Sequence, residues 1–116
     1  MPNPVVHWEI QAKDPKKIQE FYQKLFDWHI DDNNPMSYGM VDTHAEGGIN
    51  GGIGGSPEGV NRVTFYAQVS DLQASLDKAE QLGGKTVMPP TEIPNVVTLA
   101  MFSDPEGNII GLVKEQ

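Results

Sequence analysis

The sequence predicts an α+β protein made of two successive strand–helix–three-strand (βαβββ) modules. Three observations lead there. An alternating segment, Val5–Ala12, runs into an aspartate-capped helix, Pro15–Phe26. The same arrangement returns at Val60–Val69 and Asp71–Leu82. Each time, further strand-like segments follow, set off by proline, glycine and asparagine. An offset of 57 residues superposes the halves without gaps, pairing Val6 with Val63, Trp8 with Phe65, Gln11 with Gln68, Asp14 with Asp71, Leu25 with Leu82 and Gly54 with Gly111.

Each element has a local reason. In the first strand Val6, Trp8, Ile10 and Ala12 form an apolar face, and His7, Glu9 and Gln11 point the other way. Asp14 caps the helix and Pro15 opens it, where no amide hydrogen is left unpaired. Ile18, Phe21, Tyr22 and Leu25 make the expected buried stripe. Trp28–Asp31 and Ser37–Thr43 read as strands around an Asp32–Pro35 turn, with a short fourth strand at Ile49–Gly54.

In the second half Val63, Phe65, Ala67 and Val69 alternate with Thr64, Tyr66 and Gln68. The second helix has the stripe Leu72, Leu76, Ala79 and Leu82, and Gly83-Gly84 supplies its left-handed end. Lys85–Met88 is a short strand, Pro89–Pro94 a rigid loop, and Val96–Phe102 and Ile109–Lys114 close the chain around a tight turn at Asp104–Asn108.

At 116 residues the chain is one domain, module one covering about residues 1–57 and module two about 58–116. Sixteen acids against eight bases leave a net charge of −8, and Arg62 is the single arginine. That balance argues against nucleic acid and against an anionic membrane surface, both of which call for a basic face. The absence of cysteine excludes disulfides, thiolate nucleophiles and thiolate metal sites. With no apolar run of membrane-spanning length and no leader at Met1-Pro2-Asn3, the expected location is the cytoplasm.

Val6-His7-Trp8-Glu9-Ile10, Asp14-Pro15 and Phe21-Tyr22 through Leu25-Phe26-Asp27-Trp28 resemble the first module of the vicinal oxygen chelate superfamily, which contains glyoxalases, bleomycin resistance proteins and extradiol dioxygenases. Asp71-Leu72, Leu82-Gly83-Gly84 and Phe102-Ser103-Asp104-Pro105-Glu106-Gly107-Asn108 resemble its second module. The resemblance implies a cup-shaped mixed eight-stranded sheet, helices outside, a pocket on the concave face and pairing into homodimers. It also implies metal ligands on the first and last strand of each module, which fall on His7, Gly54, Thr64 and Gly111. One imidazole among four positions cannot hold a catalytic metal, which usually takes three protein ligands, so no metal or other cofactor is expected.

Two readings of the polar faces stay open. Glu9, Gln11, Thr64, Tyr66 and Gln68 are either a wet sheet face without chemistry or the floor of a pocket for a small organic molecule, with His7 its leading functional side chain. Family architecture favours the pocket. His7 and Glu9, about 7 Å apart along one strand face, are the candidate catalytic pair of a glyoxalase-type lyase or isomerase, with or without a divalent metal. The Gly47–Gly55 run lacks the lysine and hydroxyl of a phosphate loop and reads as a strand that must bend or approach other groups closely. His29 and His44 have no partner at ligand spacing in the sequence.

Overall fold

A computed structural model describes residues 2–94 and 96–115. The reading of the leader at Met1, and the outermost residues of the 1–116 domain, lie outside the described residues. Eight strands and two helices follow in the order β1 (Val5–Ala12), α1 (Pro15–Phe26), β2 (His29–Asp31), β3 (Gly39–Asp42), β4 (Gly51–Gly55), β5 (Arg62–Val69), α2 (Leu72–Gln81), β6 (Lys85–Ile93), β7 (Val97–Ser103) and β8 (Ile109–Lys114). The chain forms the two βαβββ modules that the sequence predicts.

The first compact unit is His7–Val63. Its strands lie in the order β2-β3-β4-β1, with β1 parallel to β4 and the other pairs antiparallel. Asp14 caps α1 by accepting the backbone N–H of Lys17, and Asp27 ends it in a left-handed conformation. The face α1 buries is not the expected one. Gln19 is buried while Phe21 and Leu25 stand exposed. Ile18, Gln19 and Tyr22 turn inward because α1 lies on β4 and β2. There the Gln19 amide donates to the Ile53 carbonyl at 2.9 Å, beside Gly39 where β3 begins. A side chain at Gly39 would collide with Gln19.

The second unit runs from Thr64 onward and includes the residues before His7. Gln68 N–H donates to the Pro4 carbonyl at 2.9 Å, tying that leading segment to β5. Its strands lie in the order β5-β8-β7-β6, with β5 parallel to β8. Asp71 caps α2 through the N–H of Ala74, and Leu72 and Leu76 pack with Val69, Ala100 and Leu112 as its core. Leu82, placed in the stripe by its spacing, is exposed at the helix end, where Gly83 turns left-handed.

Pro89 and Pro90 do not form a separate loop: β6 runs through them to Ile93, with register shifts between Thr86 and Thr91. Proline is tolerated there because β6 is an outermost strand and the irregular stretch needs fewer amide donors. At the last turn Asp104 accepts the N–H groups of Glu106 and Asn108 at 2.9 Å, and Gly107 takes the positive φ.

The faces of β5 are the largest correction. Thr64 and Tyr66 are 4% and 7% exposed, whereas Val63 and Phe65 are 76% and 40% exposed. The alternation is right, but along its first half the buried face is the polar one. α2 lies over β6, β7 and β8, so it does not cover the start of β5, and only Ala67 and Val69 reach its core. On β1 Glu9 is 9% exposed and His7 and Gln11 are half-buried, while Val6 is exposed.

Candidate functional site

In the first unit, β1 presents His7, Glu9 and Gln11 from one face, as alternation requires. The strand beside it is β4, in the register Glu9 with Gly52 and Gln11 with Gly54. Across these two glycines lies Tyr38. A side chain at Gly52 would run into its hydroxyl end, and one at Gly54 would come within 2.7 Å of its Cδ1. The Tyr38 hydroxyl and His7 Nε2 share a hydrogen bond of 3.0 Å, with the two rings roughly parallel. Gln11 Nε2 donates to Glu9 Oε1 and Arg62 Nη1 donates to Gln11 Oε1, both at 3.3 Å. Arg62 also pairs with Glu58 at 3.5 Å. One continuous polar line thus runs from Tyr38 through His7, Glu9 and Gln11 to Arg62.

Burial sets the protonation of the His7–Tyr38 pair. It lowers the His7 pKa below its ordinary value, the nearby Glu9 opposing more weakly. Burial, with Glu9 adding to it, pushes the Tyr38 phenol well above its usual range. Near neutral pH the pair is therefore a neutral imidazole beside a neutral hydroxyl, able to donate and accept.

A pH dependence of stability follows. A histidine held neutral in the fold contributes stability that is fully present above the unfolded value of 6.5 and is lost as pH falls from there through the lower folded value. Urea midpoints should drop between pH 7.5 and 5.5 by more in the native chain than in His7→Asn. Equal drops would show that His7 protonates as freely in the fold as out of it.

In the second unit Thr64, Tyr66 and Gln68 share a face of β5. The Thr64 hydroxyl donates to the Ile109 carbonyl at 2.7 Å, and the Tyr66 ring lies over Gly111, its cross-strand partner. Gln68 is half-buried beside Val113. A depression of about 350 Å³ also lies in this unit, lined by residues such as Glu92, Ile93, Val97 and Lys114, and it contains none of these side chains.

The register revises the ligand positions. Tyr66, two residues after Thr64, pairs with Gly111; Glu9, two residues after His7, pairs with Gly52. Gly52, not Gly54, is therefore the counterpart of Gly111, and the gapless offset fails by two residues between the first and last strands. The four positions hold an imidazole bonded to Tyr38, a hydroxyl bonded to a carbonyl, and two glycines beneath tyrosine rings. Among the described residues no three histidines and acids converge as metal ligands. These residues do not fit the metal that the resemblance implies.

Tyr38 and the placement of Arg62 escaped the sequence reading. The signal for Tyr38 was the pair of glycines two apart in one strand, Gly52 and Gly54, which marks close approach by another group. Which group approaches depends on the Asn33–Tyr38 connection, whose course is set by Asn34 bonding the Tyr38 backbone.

The sequence model of the Glyoxalase/Bleomycin resistance protein/Dioxygenase superfamily matches residues 5–112. The chain is 31% identical over 113 residues to CFP32 of Mycobacterium bovis and of Mycobacterium tuberculosis, provisionally named a glyoxylase; the match takes in 90% of this chain. The chain spans 42% of the length of these relatives. Among solved structures, a superfamily member from Vibrio splendidus 12B01 superposes with a TM-score of 0.64 at 15% identity, over 98% of this chain and 100% of that one. The Mn(II)-bound glyoxalase from Novosphingobium aromaticivorans gives 0.66 at 14% identity, over 97% of this chain and 40% of that one. At those identities the structures show a common fold, and no helix among the described residues is long and apolar enough to cross a membrane. With both modules in order and the family match running almost end to end, the chain belongs to the glyoxalase/bleomycin resistance protein/dioxygenase superfamily.

Proposed function

We propose that this protein binds a small organic molecule without the superfamily's metal, using the polar line on β1 as its recognition surface. The observation that carries the reading is Tyr38, whose ring covers Gly52 and Gly54 and whose hydroxyl engages His7 Nε2. The one imidazole at the four ligand positions, His7, is engaged by Tyr38, and the two form a neutral hydrogen-bonding pair. Such a pair suits a ligand with a carbonyl or hydroxyl group, and Glu9, Gln11 and Arg62 extend the polar contacts. Thr64, Tyr66 and Gln68 belong to the proposal less directly, since the Thr64 hydroxyl is already bonded.

The same reading places the chain in the cytoplasm as a homodimer, with the exposed apolar Val63 and Phe65 as surface for pairing. Lyase or isomerase chemistry of the glyoxalase type is the second reading. It is favoured by the neutral His7 beside buried Glu9 and by the name of the mycobacterial relatives.

The test uses protein dialysed against EDTA and then metal-free buffer. Added Mn²⁺, Zn²⁺ or Ni²⁺ should give no thermal stabilisation that His7→Ala removes. Small carbonyl and aromatic fragments should shift the His7 and Tyr38 resonances, and Tyr38→Phe should weaken the best of them by about 2- to 12-fold, the value of one hydrogen bond. A His7-dependent rise in Tm of several degrees with metal would sink the metal-free claim. Fragments that bind without touching His7 or Tyr38 would sink the site. Turnover of an α-keto aldehyde thiol adduct, lost in Glu9→Gln, would select the second reading, and light scattering on the same samples checks the dimer.

A further inference from the structure

The outer edge of the first unit brings His29 beside Asp42 and His44, a neighbouring pair that lies well beyond it in the sequence. His29 opens β2, the outermost strand of its sheet, and sits directly opposite Asp42, the last residue of β3. His44 follows two residues later, past the end of β3, where the chain turns back over Asp42. The backbone makes this return at a positive φ of 52° at His44, while Asp42 Oδ1 accepts the His44 N–H at 2.9 Å. The His29 and His44 ring centroids are 5.7 Å apart, and His44 Nδ1 is 3.6 Å from Asp42 Oδ1.

We propose that His29, Asp42 and His44 form a binding site for a late first-row divalent cation of the zinc, nickel or copper type. Two donors each about 2.1 Å from one ion lie about 3.4–3.6 Å apart at angles of about 110–120°. The His44–Asp42 separation matches that spacing and is long for a direct hydrogen bond. Two imidazoles on one ion have ring centres about 5–6 Å apart by the same geometry, and the observed separation falls in that range.

As the side chains lie, no three such donors among the described residues converge on one point. Both rings are exposed, and bringing the three donors onto one ion takes a change in their side-chain torsions. Two nitrogens and one carboxylate oxygen suit zinc, nickel and copper and do not suit calcium or magnesium, which call for oxygen ligands throughout. An ion there would tie the three-residue β2 to the end of β3. The site shares no residue with the His7 face.

Isothermal titration of the EDTA-treated full chain with Zn²⁺ at pH 7.5 tests the proposal. One equivalent should bind, half-saturating below about 100 µM. His29→Asn and His44→Asn should each weaken it at least tenfold, and His7→Asn should leave the isotherm unchanged. Matching melting curves for His29→Asn, His44→Asn and the native chain without metal would show that folding is intact, both histidines being on the surface. No binding at 100 µM, binding indifferent to His29→Asn and His44→Asn, or binding lost in His7→Asn would each overturn the proposal.

Discussion

Gly52→Val should cost about 3 kcal/mol of stability and lower Tm by about 10–15 °C, an effect at the top of the range for overpacking. Gly52 is buried, and a β-carbon there meets the hydroxyl end of Tyr38. The ring cannot simply rotate away, since it also lies over Gly54 and is bonded to His7. A valine must therefore displace Tyr38, break that hydrogen bond and open the cover over β4. The double variant Gly52→Val/Tyr38→Ala supplies the control. With the ring gone the valine has room, so the two costs should fall short of additivity by about 1–2 kcal/mol. Chemical denaturation of the four proteins checks this. Strict additivity would mean that Tyr38 is not what makes position 52 a glycine.

Leu76→Ala should cost about 3–4 kcal/mol, and Phe65→Ala distinctly less, about 1 kcal/mol. Leu76 is 1% exposed and packs among Val69, Leu72, Ala100 and Leu112, so truncation leaves a cavity that the helix cannot collapse into. Phe65 looks the more important residue by size and hydrophobicity, but two-fifths of its surface is open to solvent. If pairing with a second copy covers it, the Phe65→Ala cost should grow with protein concentration, while that of Leu76→Ala should not. Urea melts at two protein concentrations measure both. Equal costs at every concentration would return Phe65 to the core of the single chain.

The second comparison shows where a periodic pattern stops being informative. Alternation along β5 predicts two faces, and both exist; it does not say which face α2 covers along the whole strand. That depends on α2 lying over β6, β7 and β8, a matter of where the chain returns after Gly83. The same holds for α1. Its spacing puts Phe21 and Leu25 beside Ile18 and Tyr22, but contact with β4 rotates the buried face to include Gln19. A glutamine can lie there because a backbone carbonyl at Ile53 waits for its amide. Hydropathy scores side chains one at a time and cannot register such a partner.

By itself the sequence determined the order of elements, the two modules, the caps at Asp14 and Asp71, the turn at Asp104–Asn108 and the polar grouping of His7, Glu9 and Gln11. These are properties of neighbouring residues: a cap needs a side-chain oxygen within a turn of the helix start, and a strand face needs alternation. Only the tertiary structure decided that Tyr38 lies on His7, that Gly52 is the counterpart of Gly111, that Arg62 reaches Gln11 and that His29 faces Asp42 and His44. Each joins residues separated along the chain by loops or strands whose register no local propensity specifies. A shift of two residues in one ladder keeps every side chain on its own face and satisfies the same backbone hydrogen bonds, so alternation is blind to it. Packing of rings on glycines is what selects among such registers.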